Sequence, residues 1–171
     1  MNLGDVTIPP AEETPPGFAF AEISASERTG KELIGASLYE FEPGNQLWPY
    51  HFHVGNEEWA VVVSGTPTLR TPEGERELRA GDVVGFPQGE GGAHTFYNRG
   101  SEASRLVIFS TLRSGYPTYP DSDKVAAGGR VFRRADAVGY WDGEESRAYR
   151  PECPTSRRSS RSRSRETGRR S

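Results

Sequence analysis

Pro49-Tyr50-His51-Phe52-His53-Val54-Gly55-Asn56-Glu57-Glu58-Trp59-Ala60-Val61-Val62-Val63-Ser64-Gly65 is the stretch on which the reading of this chain turns. Two histidines stand two apart in a run of aromatic and β-branched residues, the composition of a strand. In a strand, residues i and i+2 project from one face about 7 Å apart, so both imidazoles can reach a single ion. Gly55-Asn56 suits a two-residue turn, because glycine accepts positive φ. A hairpin closed there pairs Val54 with Glu57, His53 with Glu58, Phe52 with Trp59 and His51 with Ala60. Directly opposed residues share a face. Glu58 then lies beside His51 and His53, and Glu57 turns away.

The third and last histidine lies downstream, in Gly81-Asp82-Val83-Val84-Gly85-Phe86-Pro87-Gln88-Gly89-Glu90-Gly91-Gly92-Ala93-His94-Thr95-Phe96-Tyr97-Asn98. Imidazole nitrogens with one carboxylate oxygen form a donor set suited to Fe, Mn, Zn, Ni or Cu and poor for Ca or Mg. An isolated histidine is ordinarily a surface or hydrogen-bonded core residue. A His-x-His pair set against a glutamate, with the remaining histidine in the next hairpin, weighs against that reading.

These two stretches resemble the two motifs of the cupins, in the form of a small bacterial-type single-domain member. The first motif is matched by His51-x-His53, four residues, Glu58, six residues and Gly65, with Gly44 one residue further upstream than the family pattern. The second is matched by Gly81, five residues, Pro87-x-Gly89, His94, three residues and Asn98, with two extra residues ahead of His94. The resemblance implies an all-β fold, the double-stranded β-helix or jelly-roll-like barrel. It also implies His51, His53, Glu58 and His94 as ligands of one divalent transition metal. It says nearly nothing about substrate, since one fold hosts many chemistries.

The remaining sequence agrees with a fold of short strands. The chain has 171 residues, 33% of them hydrophobic, with 20 glycines and 13 prolines, a composition that favours strands and tight turns over long helices. Residues 1–17, with Pro9, Pro10, Pro15 and Pro16, read as an extended acidic arm, and residues 18–150 as one cupin domain. Within that domain strands are expected at Phe18–Ile23, Leu33–Phe41, Thr68–Thr71, Arg76–Leu78, Val83–Pro87, His94–Asn98 and Arg105–Thr111. A polar turn is expected at Ser26–Lys31, a Pro/Tyr-rich loop at Ser114–Asp123 and a short edge strand at Arg130–Arg133. Tyr140-Trp141 reads as an aromatic anchor packing back on the domain. By strand parity Ala60, Val62 and Phe96 line the interior, whereas Phe52, Trp59 and Tyr97 face outward and call for cover by a second subunit, a homodimer.

The last segment has another character. From Glu152 onward there are seven arginines and two glutamates, a local charge of +5 against −3 for the whole chain, which leaves −8 for residues 1–151. Residues 151–171 hold almost nothing to bury, so a disordered tail is expected. Nucleic-acid contact through its arginines is conceivable by counterion release, but no aromatic residue interleaves them and that partner is not favoured. No stretch resembles a signal peptide, the longest apolar run is Trp59–Val63, and the single Cys153 allows no internal disulfide. A cytoplasmic protein without membrane contact is expected.

Three functions fit these residues. One is a metal-dependent enzyme on a small organic molecule, with dioxygenase or isomerase chemistry and Fe or Mn preferred over Zn, Ni or Cu. A second is a metal-containing binding or sensor module, and a third is a metal-free ligand site. No dedicated nucleophile or acid–base residue stands out beside the four ligands. Glu90, the nearest by sequence, lies in a loop and is expected to be solvated.

Overall fold

The computed structural model describes residues 2–9, 14–30, 33–111, 115–140 and 142–143. The described elements are β1 (Ala21–Ser24), α1 (Ala25–Thr29), β2 (Ile34–Phe41), β3 (Phe52–Val54), β4 (Glu58–Ser64), β5 (Thr68–Thr71), β6 (Gly74–Glu77), β7 (Val83–Phe86), β8 (Thr95–Tyr97), β9 (Ser104–Thr111), β10 (Tyr116–Tyr119), β11 (Lys124–Ala127) and β12 (Arg130–Arg133), with single 3₁₀ turns at Glu90–Gly92, Pro120–Ser122 and Arg134–Asp136. All the strands fall in one compact unit, Met1–Ala137; a second unit, Val138–Ser171, has few described residues.

The strands form antiparallel sheets ordered β1-β2-β9-β4-β7, β12-β11-β10-β3 and β6-β5-β8. The long pairing of β2 with β9, Ile34 opposite Thr111 through Phe41 opposite Ser104, is the backbone of the first sheet. The two smaller sheets meet along residues 44–51 and 94–98, where Leu47 N donates to Phe96 O and His51 and His94 exchange two backbone hydrogen bonds. This is the jelly-roll arrangement expected from the motifs. Alternation in β4 and β9 turns Ala60, Val62, Leu106 and Ile108 inward against Leu69 and Phe96, and all six are buried, as parity required of Ala60, Val62 and Phe96. Each such side chain contributes about 1.5–3 kcal/mol when fully buried, alanine less.

The outer face of the first sheet is half covered. Val6 and Ile8 of the N-terminal segment pack with Ile23, Leu38, Val107 and Val63. Trp59 beside Phe109, together with Val83 and Ile34, remains exposed.

Three local expectations are corrected. The first concerns the hairpin at Gly55-Asn56. β3 lies against β10, with His53 opposite Pro117, while β4 runs between β9 and β7. The residues between them carry the chain from one sheet to the other, and Glu57 bonds to Thr111 at the end of β9 through both its N–H and its carbonyl. An eight-residue β9 offers β4 more ladder hydrogen bonds than a three-residue β3 could. The new pairing also changes Phe52, which points away from the site but is buried with Tyr50 and Ala93 rather than exposed.

Second, the expected turn at Ser26–Lys31 holds α1, started by Ser24, whose hydroxyl accepts from Glu27 N at 3.3 Å. Third, part of the expected loop Ser114–Asp123 is β10, an interior strand despite Pro117. Tyr140, read as half of an aromatic anchor, is 84% exposed. Trp141 and residues 151–171 lie outside the described residues.

Candidate metal centre

His51 and His94 face each other across the seam between the two small sheets as a directly opposed, hydrogen-bonded pair. That pair, not a local hairpin, brings their side chains together. His53 follows two residues after His51 on the same face. Glu58 reaches in from β4 on the facing sheet, so the group bridges the two layers. Glu57 and Glu90 are exposed, as the sequence indicated.

The distances are short. Nε2 of His51 lies 3.1 Å from Nε2 of His53. Oε2 of Glu58 lies 3.2 Å from Nε2 of His53 and 3.5 Å from Nε2 of His94. His51, His53 and Glu58 form a group whose ligand atoms fall within 4.8 Å of one another, a set that could hold a metal ion.

Backbone carbonyls settle two of the tautomers. Nδ1 of His51 donates to Pro49 O at 2.9 Å, and Nδ1 of His94 donates to Gly92 O at 2.9 Å. Each ring therefore presents a bare lone pair at Nε2, the second-shell arrangement that orients ligating histidines. His94 Nε2 and His53 Nδ1 are buried and without a hydrogen-bond partner. Burial, then the neighbouring imidazoles His94 and His53, pushes the His51 pKa down to about 3. Burial does the same to His94, to about 4. Neutral rings with free lone pairs crowded against a carboxylate fit a dipositive ion, because the cation replaces nitrogen–nitrogen repulsion with attraction to all of them.

The loop ahead of His94 explains the two extra residues of the second motif. They are taken up by the 3₁₀ turn Glu90–Gly92, which sits so close to Pro87 that a Cβ on Gly92 would lie 1.7 Å from the Pro87 carbonyl oxygen. Only glycine fits there, and its own carbonyl is the one that holds His94. Asn98 closes the motif structurally: its Nδ2 donates to Phe41 O and Glu102 O, both at 2.9 Å.

A cavity of about 250 Å³ opens onto His51, His53 and Glu58, walled by Tyr39, Trp48, Pro49, Ile108, Pro117 and Tyr119. Tyr119 lies with its ring 5.9 Å from that of His51. Burial raises the pKa of both Tyr39 and Tyr119, so each keeps its phenolic proton. Sequence reasoning missed these two tyrosines. The alternation of Tyr116 and Thr118 with Pro117 and Tyr119 was the available signal, and Pro117 masked it.

Antiparallel sheets wrapped around a His/His/Glu group that could hold a metal ion define the double-stranded β-helix class. The chain matches the family model for the cupin domain over residues 37–110. It is similar to the crystal structure of a candidate sugar phosphate isomerase from Acidithiobacillus ferrooxidans, 25% identical with a TM-score of 0.70, over 80% of this chain and 91% of that one. A sugar phosphate isomerase from a cupin superfamily, from Silicibacter pomeroyi, is 22% identical with a TM-score of 0.68, over 83% of this chain and 97% of that one. A predicted oxalate decarboxylase from Thermotoga maritima has the same fold at 17% identity and a TM-score of 0.51, over 66% of this chain and 97% of that one. No sequence among curated proteins matches the chain. No helix among the described residues is long and apolar enough to cross a membrane.

Proposed function

We propose that His51, His53, His94 and Glu58 hold one divalent transition metal, and that the protein is a metal-dependent isomerase of a small organic molecule able to chelate that ion. The observation that carries this reading is the convergence of lone-pair nitrogens and one carboxylate oxygen at the foot of a largely apolar cavity. Bound there, the ion would polarise a carbonyl or hydroxyl oxygen. The carboxylate and the room for further ligands favour Fe or Mn in an octahedral site over Zn, Ni or Cu.

The chain's own residues supply the rest. The carbonyls of Pro49 and Gly92 hold two imidazoles in the ligating tautomer. Trp48, Ile108 and Pro117 give the cavity an apolar lining, and the protonated phenol of Tyr119 stands ready to donate to a ligand oxygen, whereas that of Tyr39 is held by Glu22. The likeness to the Acidithiobacillus protein supports isomerisation of a hydroxycarbonyl compound. The mostly apolar wall supports an oxygen-dependent reaction as the second reading. The functional unit is proposed to be a homodimer in the cytoplasm, with nucleic-acid contact by the basic tail not favoured.

The test is metal analysis of freshly purified protein. Reconstitution with Fe(II) or Mn(II) and a screen of hydroxycarbonyl compounds follow, under air and under anaerobiosis. Turnover in both atmospheres supports isomerisation, and turnover only under air supports the oxygen-dependent reaction. Metal uptake without turnover of any compound leaves a binding module. A protein that takes up no metal defeats the reading.

A further inference from the structure

A second cavity of about 150 Å³ shares Tyr39, Glu58 and Ile108 with the metal-side cavity and lies on the other side of them. Its floor is set by strand register. Ser110 of β9 is directly opposite both Glu58 of β4 and Gly35 of β2. Ser37 is directly opposite Ser24 of β1 on one side and Ile108 on the other. Opposed residues share a face, so the Ser110 and Ser37 hydroxyls point to the same side as the Glu58 carboxylate. Gly35 contributes no side chain, which leaves that floor open.

The chemistry of this lobe differs from that of the first. Its walls carry hydroxyls where the metal side carries Trp48, Pro49 and Pro117. None of its described lining residues is a lysine or arginine, and the charge it offers is that of Glu58. Tyr39 donates its phenolic proton to Glu22 Oε1 at 3.0 Å and accepts a hydrogen bond from Ser37, whose oxygen keeps its lone pairs for a ligand hydroxyl. Among the described residues the lobe thus has no cationic side chain to hold an anionic group, and it offers hydrogen bonds to neutral hydroxyls. Its volume matches roughly five waters at about 30 Å³ each, enough for a short polyol tail.

We infer that the two lobes form one substrate site, in which the metal side takes a chelating head and Ser37 and Ser110 bind an uncharged, hydroxylated tail. The substrate class is then a polyhydroxy carbonyl compound or polyhydroxy acid, with the tail end free of phosphate or carboxylate. Ser37 and Ser110 are specificity-determining residues. Ser26 is not, because its hydroxyl is engaged by the N–H and carbonyl of Ala36. The inference rests on the metal-dependent reading of the site, since the head needs the ion.

The experiment uses full-length protein loaded with Mn(II) and three probes with the same α-hydroxycarboxylate head. Glycolate has no tail, 2-hydroxyhexanoate has an apolar tail, and gluconate has a hydroxylated tail of the same length. Gluconate should bind at least about tenfold tighter than the other two, a gain available from one or two added hydrogen bonds. Ser37→Ala and Ser110→Ala should each weaken gluconate by about three- to tenfold, with glycolate affinity and metal content unchanged.

Gluconate binding no tighter than glycolate, 2-hydroxyhexanoate matching gluconate, or variants that weaken all three probes alike would each overturn the inference. A protein that loads no Mn(II) reveals itself by metal content before any probe is added. That outcome defeats the metal reading and the two-lobed site with it, whereas loaded protein without the tail effect defeats the two-lobed site alone.

Discussion

The His94 imidazole lies flat against the Phe86 ring, with centroids 3.7 Å apart and planes 11° from parallel. Phe86 is also directly opposite Glu58 in the β4–β7 ladder. One aromatic side chain therefore fixes the plane of a proposed ligand and stands beside another. Phe86→Ala should lower stability by about 3–5 kcal/mol through the cavity it leaves. Phe86→Leu should fold and still weaken metal binding, because the ring that pins His94 is gone. Metal titration alongside thermal melts checks this, and unchanged metal affinity in folded Phe86→Leu would count against the positioning role.

Removing the metal should matter to the fold as well as to the site. An ion held only by the folded chain at 100 times its dissociation constant adds about 2.7 kcal/mol. Chelation should therefore lower the melting temperature of loaded protein by several degrees. His51→Ala, His53→Ala, His94→Ala and Glu58→Gln should each abolish most of that difference. Equal melting temperatures with and without chelator would contradict four-residue ligation.

Acid should destabilise the metal-free protein in a defined window. His51 and His94 have pKa values pushed down to about 3 and about 4 in the folded state. The unfolded chain takes up protons near pH 6.5, where the folded chain does not, so stability falls as pH drops below that value. Each ring contributes a slope of at most about 1.4 kcal/mol per pH unit. A loss on the order of 2–4 kcal/mol between pH 6.5 and 5 is expected in urea melts of metal-free protein. The double variant His51→Gln/His94→Gln should be markedly flatter over the same range.

Arg70 ties down the cavity wall that carries Tyr119. It meets Asp121 with two hydrogen bonds, at 2.6 and 2.9 Å, and its guanidinium lies 3.9 Å from the centre of the Tyr50 ring. Exposed pairs contribute about 0–1 kcal/mol to stability, so Asp121→Ala should melt close to the unaltered protein. Its effect should appear in ligand affinity, because the Pro120–Ser122 turn follows Tyr119 directly. A several-fold rise in dissociation constant with little change in melting temperature is the expected pair of results. Unaltered ligand affinity would remove the strap role.

Trp59 is 59% exposed and lies across the ladder from Phe109, itself 40% exposed. A second copy of the chain is the proposed cover for this face. Trp59→Ser should shift sedimentation toward monomer, and a concentration-independent monomer in the unaltered protein would exclude the proposal.

The motif spacing made the candidate site legible because it records which residues lie near one another in the finished fold, whichever strand each one pairs with. Glu58 was placed beside the histidines by a hairpin that does not form. It arrives there from the facing sheet, by the same inward parity that buries Ala60 and Val62. Local turn chemistry at Gly55-Asn56 could not reveal that β3 pairs with β10, more than sixty positions onward. Pro117 argued against a strand because proline cannot donate to a ladder, yet it occupies an interior strand opposite His53. The turn expected at Ser26–Lys31 overlooked the cap of α1, although Ser24 followed three residues later by Glu27 is a spacing that satisfies an N–H at a helix start.

The placement of Glu58 on one layer and the histidines on the other also bears on how the protein folds. The layer that carries Glu58 is knit by β2 pairing with β9, segments about seventy residues apart. Non-local pairings of this kind close late and make folding slow, on the millisecond-to-second scale typical of β-sandwiches. Until the layers dock, histidines and glutamate have no common centre, so an ion would find no complete site on the partly folded chain. Metal should then act as a brake on unfolding and leave the refolding rate nearly untouched.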